Sequence, residues 1–305
     1  MKVVNTSPAP REAIERAAAA LARDASIEVT PAQVLEGPSL ATLLPAASHV
    51  YLPSLPKADV ADTLRACRQL LAVGLVPVPH VTPRTIGSRA AMRSRLEELA
   101  AAGVERLLLI AGDRDTPAGP YASTLDLLQS GLLLEHGFRR LGIAGHPEGH
   151  PALPPATLID ALAVKRDYAA STGSELWVVT QFVFTARHTV RWLERVRAVA
   201  GDLPVRIGIP GPARLSTLIA YAARCGVGAS ARMLVRRPSA ARLLTCWTPD
   251  GLLHDLAYHR IAGSPFGGIH LFPFGGIARC GRWLQQHGTD TGGRATTDAA
   301  GAPPA

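Results

Sequence analysis

LGIAGHPEGHP, residues 141–151, passes from an apolar half into one rich in His, Pro and Gly, and its reading decides the fold. His146 and His150 stand four apart with Glu148 between them. On a helix that spacing would place both imidazoles on one face and invite zinc. Pro147 and Gly149 fall inside the interval and Pro151 follows it. Proline removes an amide donor, and glycine costs about 1 kcal/mol in a helix interior. The stretch therefore reads as a short buried strand, LGIAG, ending in a bent loop, and no metal site is expected.

Seven further apolar runs resemble this strand: SIEVT (26–30), HVYLP (49–53), LVPVPH (75–80), RLLLIAG (106–112), LWVVTQF (176–182), PVRIGIP (204–210) and GIHLFPF (268–274). Helical patterns occupy most of the intervals, at 57–74, 85–103, 121–137, 157–173, 186–201 and 211–226, while 31–47 is less regular. Several of them start near Ser, Thr or Pro and end at Gly, as helices do. Alternating strands and helices imply a parallel sheet with right-handed crossovers. Eight near-continuous apolar strands predict a closed α/β (β/α)8 TIM barrel. An open dinucleotide-binding sheet is the rival, but no G-x-G-x-x-G follows the first strand. The expected organisation is an N-terminal extension with an extra helix (1–25), a catalytic barrel (26–287) and a disordered tail (288–305). Additional helices are expected before strand eight, in 227–260.

A chain of 305 residues, 47% hydrophobic and 18% charged, suits one such domain. Cys67, Cys225, Cys246 and Cys280 are widely spaced and read as reduced thiols. The alanine run near the N-terminus is flanked by Arg11, Glu12, Arg16 and Arg23, so it reads as an exposed helix and not a signal peptide. No stretch has the ~18 apolar residues of a spanning helix, and a cytoplasmic protein with no membrane partner is expected. The net charge of +8 sits on dispersed arginines, with aromatics at only 5%. That composition offers no stacking platform for nucleic acid, and an anionic small ligand explains the charge more simply.

Barrel active sites form at the C-terminal ends of the strands. Those positions hold Glu28, Tyr51 to Ser54, His80, Gly112 with Asp113, His146 to His150, Gln181 with Phe182, Gly211, and Phe274 with Gly275. Glu28 ends an apolar strand, where desolvation should raise its pKa and suit it to donate a proton near neutrality. Gln181 offers both a donor and an acceptor, which suits the edge of a heterocycle.

These residues carry a resemblance. IEVTP, VPHVTPRT, LLLIAGD with TPAGPY, GIAGHPEGHP, DALAVKR, VVTQFVF and HLFPFGG run in the order found in the methylenetetrahydrofolate reductase family, from about residue 26 to 275. The chain looks like a short, divergent, barrel-only member. The resemblance implies that FAD mediates reduction of 5,10-methylenetetrahydrofolate to 5-methyltetrahydrofolate by NADH or NADPH. On it, Glu28 falls on the acid that opens the five-membered ring, and hydride from flavin N5 then reaches the iminium carbon. Asp113 falls on a carboxylate near flavin and pterin, and counts as both catalytic and substrate-binding. Gln181, with Phe182 and Phe274, falls on the folate side. His80, Ala111, Gly112, Asp113, His146, His150, Asp160 and Lys165 fall on or close to flavin-binding positions. The chain departs from the family at Val29 and Thr30, at YLPSLP after strand two, at Ala111 for an arginine, at His146 for a tyrosine, and at Gly275 with Gly276 for Asn-Arg.

Two other readings stay open at this level. One is a flavin-independent or other folate-dependent barrel enzyme, and the other is a folate- or flavin-binding subunit active only with a partner. A homo-oligomer is compatible with all of them.

Overall fold

The computed structural model of the chain describes residues 10–55, 59–112, 114–150, 153–225, 227 and 245–289. In chain order the elements are α1 (Arg11–Arg23), β1 (Ser26–Glu28), α2 (Pro31–Glu36), β2 (His49–Leu52), α3 (Val60–Ala72), β3 (Val76–Val81), α4 (Arg89–Ala101) and β4 (Arg106–Leu109). Then come α5 (Thr124–Gln129), α6 (Leu132–Glu135), β5 (Arg140–Gly145), α7 (Pro155–Thr172), β6 (Glu175–Phe182), α8 (Ala186–Ala200) and β7 (Val205–Pro210). The last elements are β8 (Ala213–Arg214), α9 (Leu215–Arg224), β9 (Cys246–Trp247), α10 (Asp250–Ile261), β10 (Gly268–Phe272) and α11 (Ile277–Gly288). Eight parallel strands close in the order β1, β10, β7, β6, β5, β4, β3, β2, which is a (β/α)8 TIM barrel. β8 and β9 form a separate antiparallel pair.

Local chemistry sets where the helices begin. The Asp59 carboxylate accepts from the Ala61 amide at 3.0 Å, and the Ser88 hydroxyl from the Ala91 amide at 3.1 Å. Thr30 and Gln33 form a reciprocal capping box at the start of α2. Each such cap is worth about 1 kcal/mol. The stretch 121–137, expected as one helix, divides into α5 and α6. The Ser130 hydroxyl donates to the Leu127 carbonyl at 2.6 Å, and Gly131 takes a φ of 77°. A left-handed residue ends a helix, and glycine adopts it without steric cost.

Strand register sorts the side chains into two sets. Ile27, Val50, Leu52, Leu107, Leu109, Leu141 and Ile143 belong to the large core between barrel and helices. Burying each such side chain fully is worth roughly 1.5–3 kcal/mol. The alternate residues Tyr51, Val78, Leu108, Trp177 and Val179 form a second cluster inside the barrel. Ser26 pairs with His270 across β1 and β10, Glu28 with Tyr51 across β1 and β2, and His80 with Leu108 across β3 and β4. Because strand side chains alternate with period two, Ser26, Glu28, His80 and His270 share the inner face with Tyr51.

α1 buries Ala18, Ala19, Leu21 and Ala22 and packs against α10 and α11, so only its charged face is exposed. Of the stretch 227–260, residues 228–244 lie outside the described residues, and α10 packs against α1 and α8 in the outer ring. α9 instead turns Leu218 and Ala222 toward Phe182 and Phe184, at the C-terminal end of the barrel strands. Residues 290–305 also lie outside the described residues. Among the described residues, no helix is long and apolar enough to cross a membrane.

Candidate active site

Glu28 is the last residue of β1, where the inner face opens at the barrel mouth. A quarter of its side chain is exposed, and burial of the rest raises its pKa from 4.5 to about 7. The carboxyl is thus half protonated near neutrality. His80, on β3, brings Nε2 to 3.7 Å from Glu28 Oε2, with its side chain only 5% exposed. Burial lowers the His80 pKa to about 3, so the imidazole is neutral. His80 Nε2 is buried and makes no hydrogen bond among the described residues.

Beneath this pair the barrel interior is a polar stack. The Ser26 hydroxyl and His270 Nδ1 lie 2.9 Å apart, and the Trp177 indole N–H donates to the Tyr51 hydroxyl at 2.9 Å. Tyr51 and His270 meet edge to face at 4.6 Å between ring centroids, and Tyr51 and His80 at 6.3 Å. Arg106 sits 5.4 Å from the Trp177 ring centroid and pairs with Glu175 at 3.1 Å. A buried network with its partners in place is rigid, so Glu28 and His80 stand on a fixed floor.

The loop after β4 carries Ala111, which is exposed, and Gly112, which is half-buried against Thr82 with a φ of 97°. Hydroxyls of Ser54, Thr82 and Thr85 run beside it, with neighbours 3.2 and 2.9 Å apart. Asp113 lies outside the described residues, but the segments flanking it are held by one residue, through its side chain on one side and its backbone amide on the other. The Arg84 guanidinium donates to the carbonyls of Arg114 at 2.7 Å, Ala122 at 2.8 Å and Asp115, while the Arg84 amide donates to the Ala111 carbonyl at 3.2 Å. Sequence reasoning did not single out Arg84, although it lies in VTPRT.

Gln181 is placed by an irregularity. The register between β6 and β7 shifts between Val179 and Phe182. Within the shift the Thr180 hydroxyl donates to the Gln181 carbonyl at 2.7 Å and accepts from the Gly208 amide at 2.8 Å. A Cβ on Gly208 would stand 2.4 Å from the Thr180 carbonyl oxygen, so the approach requires glycine. Bulges of this kind re-aim side chains next to active sites. Gln181 Nε2 donates to the Cys225 carbonyl at 3.5 Å, and Gln181 Oε1 is buried with no hydrogen bond among the described residues. Around it stands an aromatic wall. Phe182 meets Phe274 at 4.8 Å and Phe272 at 5.7 Å, Tyr221 stacks on Phe274 at 4.2 Å, and Phe184 meets Trp247 at 5.8 Å.

His146, His150 and Lys165 form a further group. The two imidazoles stand perpendicular at 5.4 Å. The His146 pKa is lowered to about 4, by burial first and then by the charges of His150 and Lys165. Burial also lowers the pKa of Lys165 to about 8. Asp160 lies exposed on the same helix, α7, apart from Lys165. Five residues along a helix turn roughly 140° about its axis, so the two face different ways. Among the described residues, no group of three or more His, Cys, Asp or Glu is placed to hold a metal ion.

No family model matches the chain. Over 175 residues it is 27% identical to Methylenetetrahydrofolate reductase 2 of Saccharomyces cerevisiae, a stretch covering 54% of this chain and 28% of the yeast protein. The chain therefore matches less than a third of that relative's length.

Proposed function

We propose that the chain is a reductase that converts 5,10-methylenetetrahydrofolate to 5-methyltetrahydrofolate at the expense of NADH or NADPH, with Glu28 as the general acid. The observation that carries the reading is Glu28 itself, a carboxyl at the end of β1 with a pKa of about 7, facing a neutral His80. Opening the five-membered ring breaks a C–N bond, and the departing nitrogen needs a proton. A carboxyl half protonated at pH 7 can give one and regain it from solvent, and a positioned acid contributes about 10²–10⁴ in rate. The partial likeness to the yeast reductase supports the same substrate class.

The residues present fit a flavin. His80 Nε2 is a buried polar atom without a hydrogen bond among the described residues, and such an atom is satisfied when a ligand supplies the partner. His80, Ala111, Gly112, Asp113, His146, His150 and Lys165 would hold FAD, with the exposed Asp160 at the edge. Bound FAD would supply the two-electron relay between nicotinamide and folate. Gln181 would bind the pterin edge through its amide, and Phe182 and Phe274 would exclude water from the reacting carbon.

The test is a pair of measurements on purified protein. Flavin absorbance should bleach when NADH or NADPH is added anaerobically. Glu28→Gln should keep that bleaching while losing folate turnover by at least about 100-fold. Normal folate turnover by Glu28→Gln would remove the acid assignment. Turnover by a colourless protein would favour the flavin-independent alternative, for which the exposed Ala111 is the motivating observation.

A further inference from the structure

We propose that a cavity at the N-terminal end of the barrel strands, at the opposite end from Glu28, binds a small anion that carries a phosphate group. Strand β1 runs between the two ends: Ser26 lines the cavity and Glu28 stands at the mouth. The cavity measures about 430 Å³, within the range of small-molecule sites. Arg23 from the end of α1, His49 from β2 and Arg206 from β7 line it, with Ser48 and the turn before β2. No large apolar side chain is among the lining residues, which suits a small polar anion and not an aromatic base or an acyl chain.

An imbalance of charge carries the argument. Barrel interiors are filled mainly by layers of branched apolar side chains. Here the layer at the N-terminal end holds Arg106, Arg140, Glu175 and Arg206. Each is followed by a residue of the outer core, namely Leu107, Leu141, Leu176 and Ile207, so the alternation of strand side chains turns all four inward. Glu175 is the one acid of the four, and it is shared by Arg106 at 3.1 Å and Arg140 at 3.5 Å. Arg206 is left without an ion pair among the described residues, and its Nη1 donates to the Asp24 carbonyl at 2.8 Å. Arg23 likewise donates to a carbonyl, that of Gly288 at 3.3 Å. The acid among the lining residues, Asp24, is exposed and pairs with neither arginine. The field in the cavity is positive at His49, whose pKa is lowered to about 4 by burial first and then by Arg206 and Arg106, against Glu175. Guanidinium groups with N–H donors to spare match the oxygens of a phosphate. Ala47, in the lining turn, takes a φ of 60° and is the one left-handed residue other than glycine among the described residues. Strain of this kind gathers where a ligand is held.

Calorimetry on the full chain with inorganic phosphate and glycerol 3-phosphate, at an ionic strength matched with sodium chloride, tests this. At least one probe should bind at millimolar concentration, and rising salt should weaken it. The tighter of the two tells whether the phosphate is free or esterified, and either result upholds the site. Arg206→Gln and Arg23→Gln should each weaken binding about tenfold or more. Arg93→Gln removes the same charge outside the cavity, where Arg93 pairs with Glu135, and should leave the affinity unchanged. Arg23 is exposed, so its variant reads the site even where Arg206→Gln does not fold. In a proton spectrum the ring resonances of His49 should move on addition of phosphate, while those of the exposed His254 stay. Absence of binding by both probes at millimolar concentration would overturn the site. So would an affinity unchanged in Arg23→Gln, or weakened equally in Arg93→Gln. Glu28 and His80 take no part, so failure of this site and failure of the proposed reductase activity are separate results.

Discussion

Glu28 Oε2 and His80 Nε2 lie 3.7 Å apart at the ends of β1 and β3, and the contact joins two groups that burial drives toward their neutral forms. A salt bridge would pull the carboxyl pKa down and the imidazole pKa up. Both move the other way, to about 7 and about 3. The pair is therefore a proton-holding carboxyl beside a neutral ring, the state an acid catalyst needs before it acts.

The first consequence is a pH profile. If Glu28 delivers the proton, the rate of the folate half-reaction should be constant at acid pH and fall tenfold per unit above about pH 7. Stopped-flow rates of reduced-flavin oxidation by folate would record it. Flavin reduction by the nicotinamide nucleotide should lack this limb. A folate half-reaction flat from pH 6 to 9 would assign the proton to another group.

The same shift affects stability, with a definite sign. Unfolded, the Glu28 carboxyl ionises near 4.5, and folded it holds its proton to about 7. Between those values the folded state binds more protons, so stability falls as pH rises through the window. The shift corresponds to about 3 kcal/mol in full, and the side chain is exposed by less than a third. Glu28→Gln should therefore stabilise the protein at pH 8 and leave it nearly unchanged at pH 4. Thermal melts at the two pH values would check it, and equal shifts at both would contradict the pKa.

The barrel was legible because its strands are short apolar runs bounded by Gly, Pro and polar residues, alternating with longer amphipathic stretches. Glu28 was legible for the same reason, as a lone carboxylate ending such a run. The polar floor was not. Seeing that Tyr51, Trp177 and His270 face inward together requires the register of strands far apart in sequence. Arg84 was missed because its partners are backbone carbonyls, which leave no trace in residue type. Asp160 and Lys165 share one motif, but helical geometry turns them apart. The assignment of α10 to the outer ring depends on α1, at the other end of the chain.

Buried histidines dominate at acid pH. Burial lowers the pKa of His49 to about 4, His80 to about 3 and His146 to about 4, and carries His270 well below 6.5. Unfolded, all of them take protons near 6.5. Below that pH the unfolded state binds more protons, so stability is lost as pH falls, against the smaller opposing effect of Glu28. The melting temperature should drop between pH 6.5 and 4.5. His80→Leu, which removes one titrating group and its unbonded nitrogen, should narrow the drop. An unchanged drop in that variant would mean that His80 is already protonated in the fold.

Thr180 tests whether the bulge in β6 positions Gln181 for the substrate. Its hydroxyl accepts from the Gly208 amide at 2.8 Å and donates to the Gln181 carbonyl at 2.7 Å, joining both strands at the point where the register shifts. Thr180→Val keeps the shape but strands a buried amide, at a cost of about 1–3 kcal/mol. Thr180→Ser keeps the hydroxyl and should restore most of that loss. If the bulge aims Gln181, Thr180→Val should also raise KM for folate severalfold while KM for the nicotinamide nucleotide changes less, and Thr180→Ser should return folate KM toward the original. A purely structural role would lower the melting temperature and leave both KM values where they were. Thr180→Val with a lowered melting temperature and an unchanged folate KM would therefore separate Gln181 from the substrate.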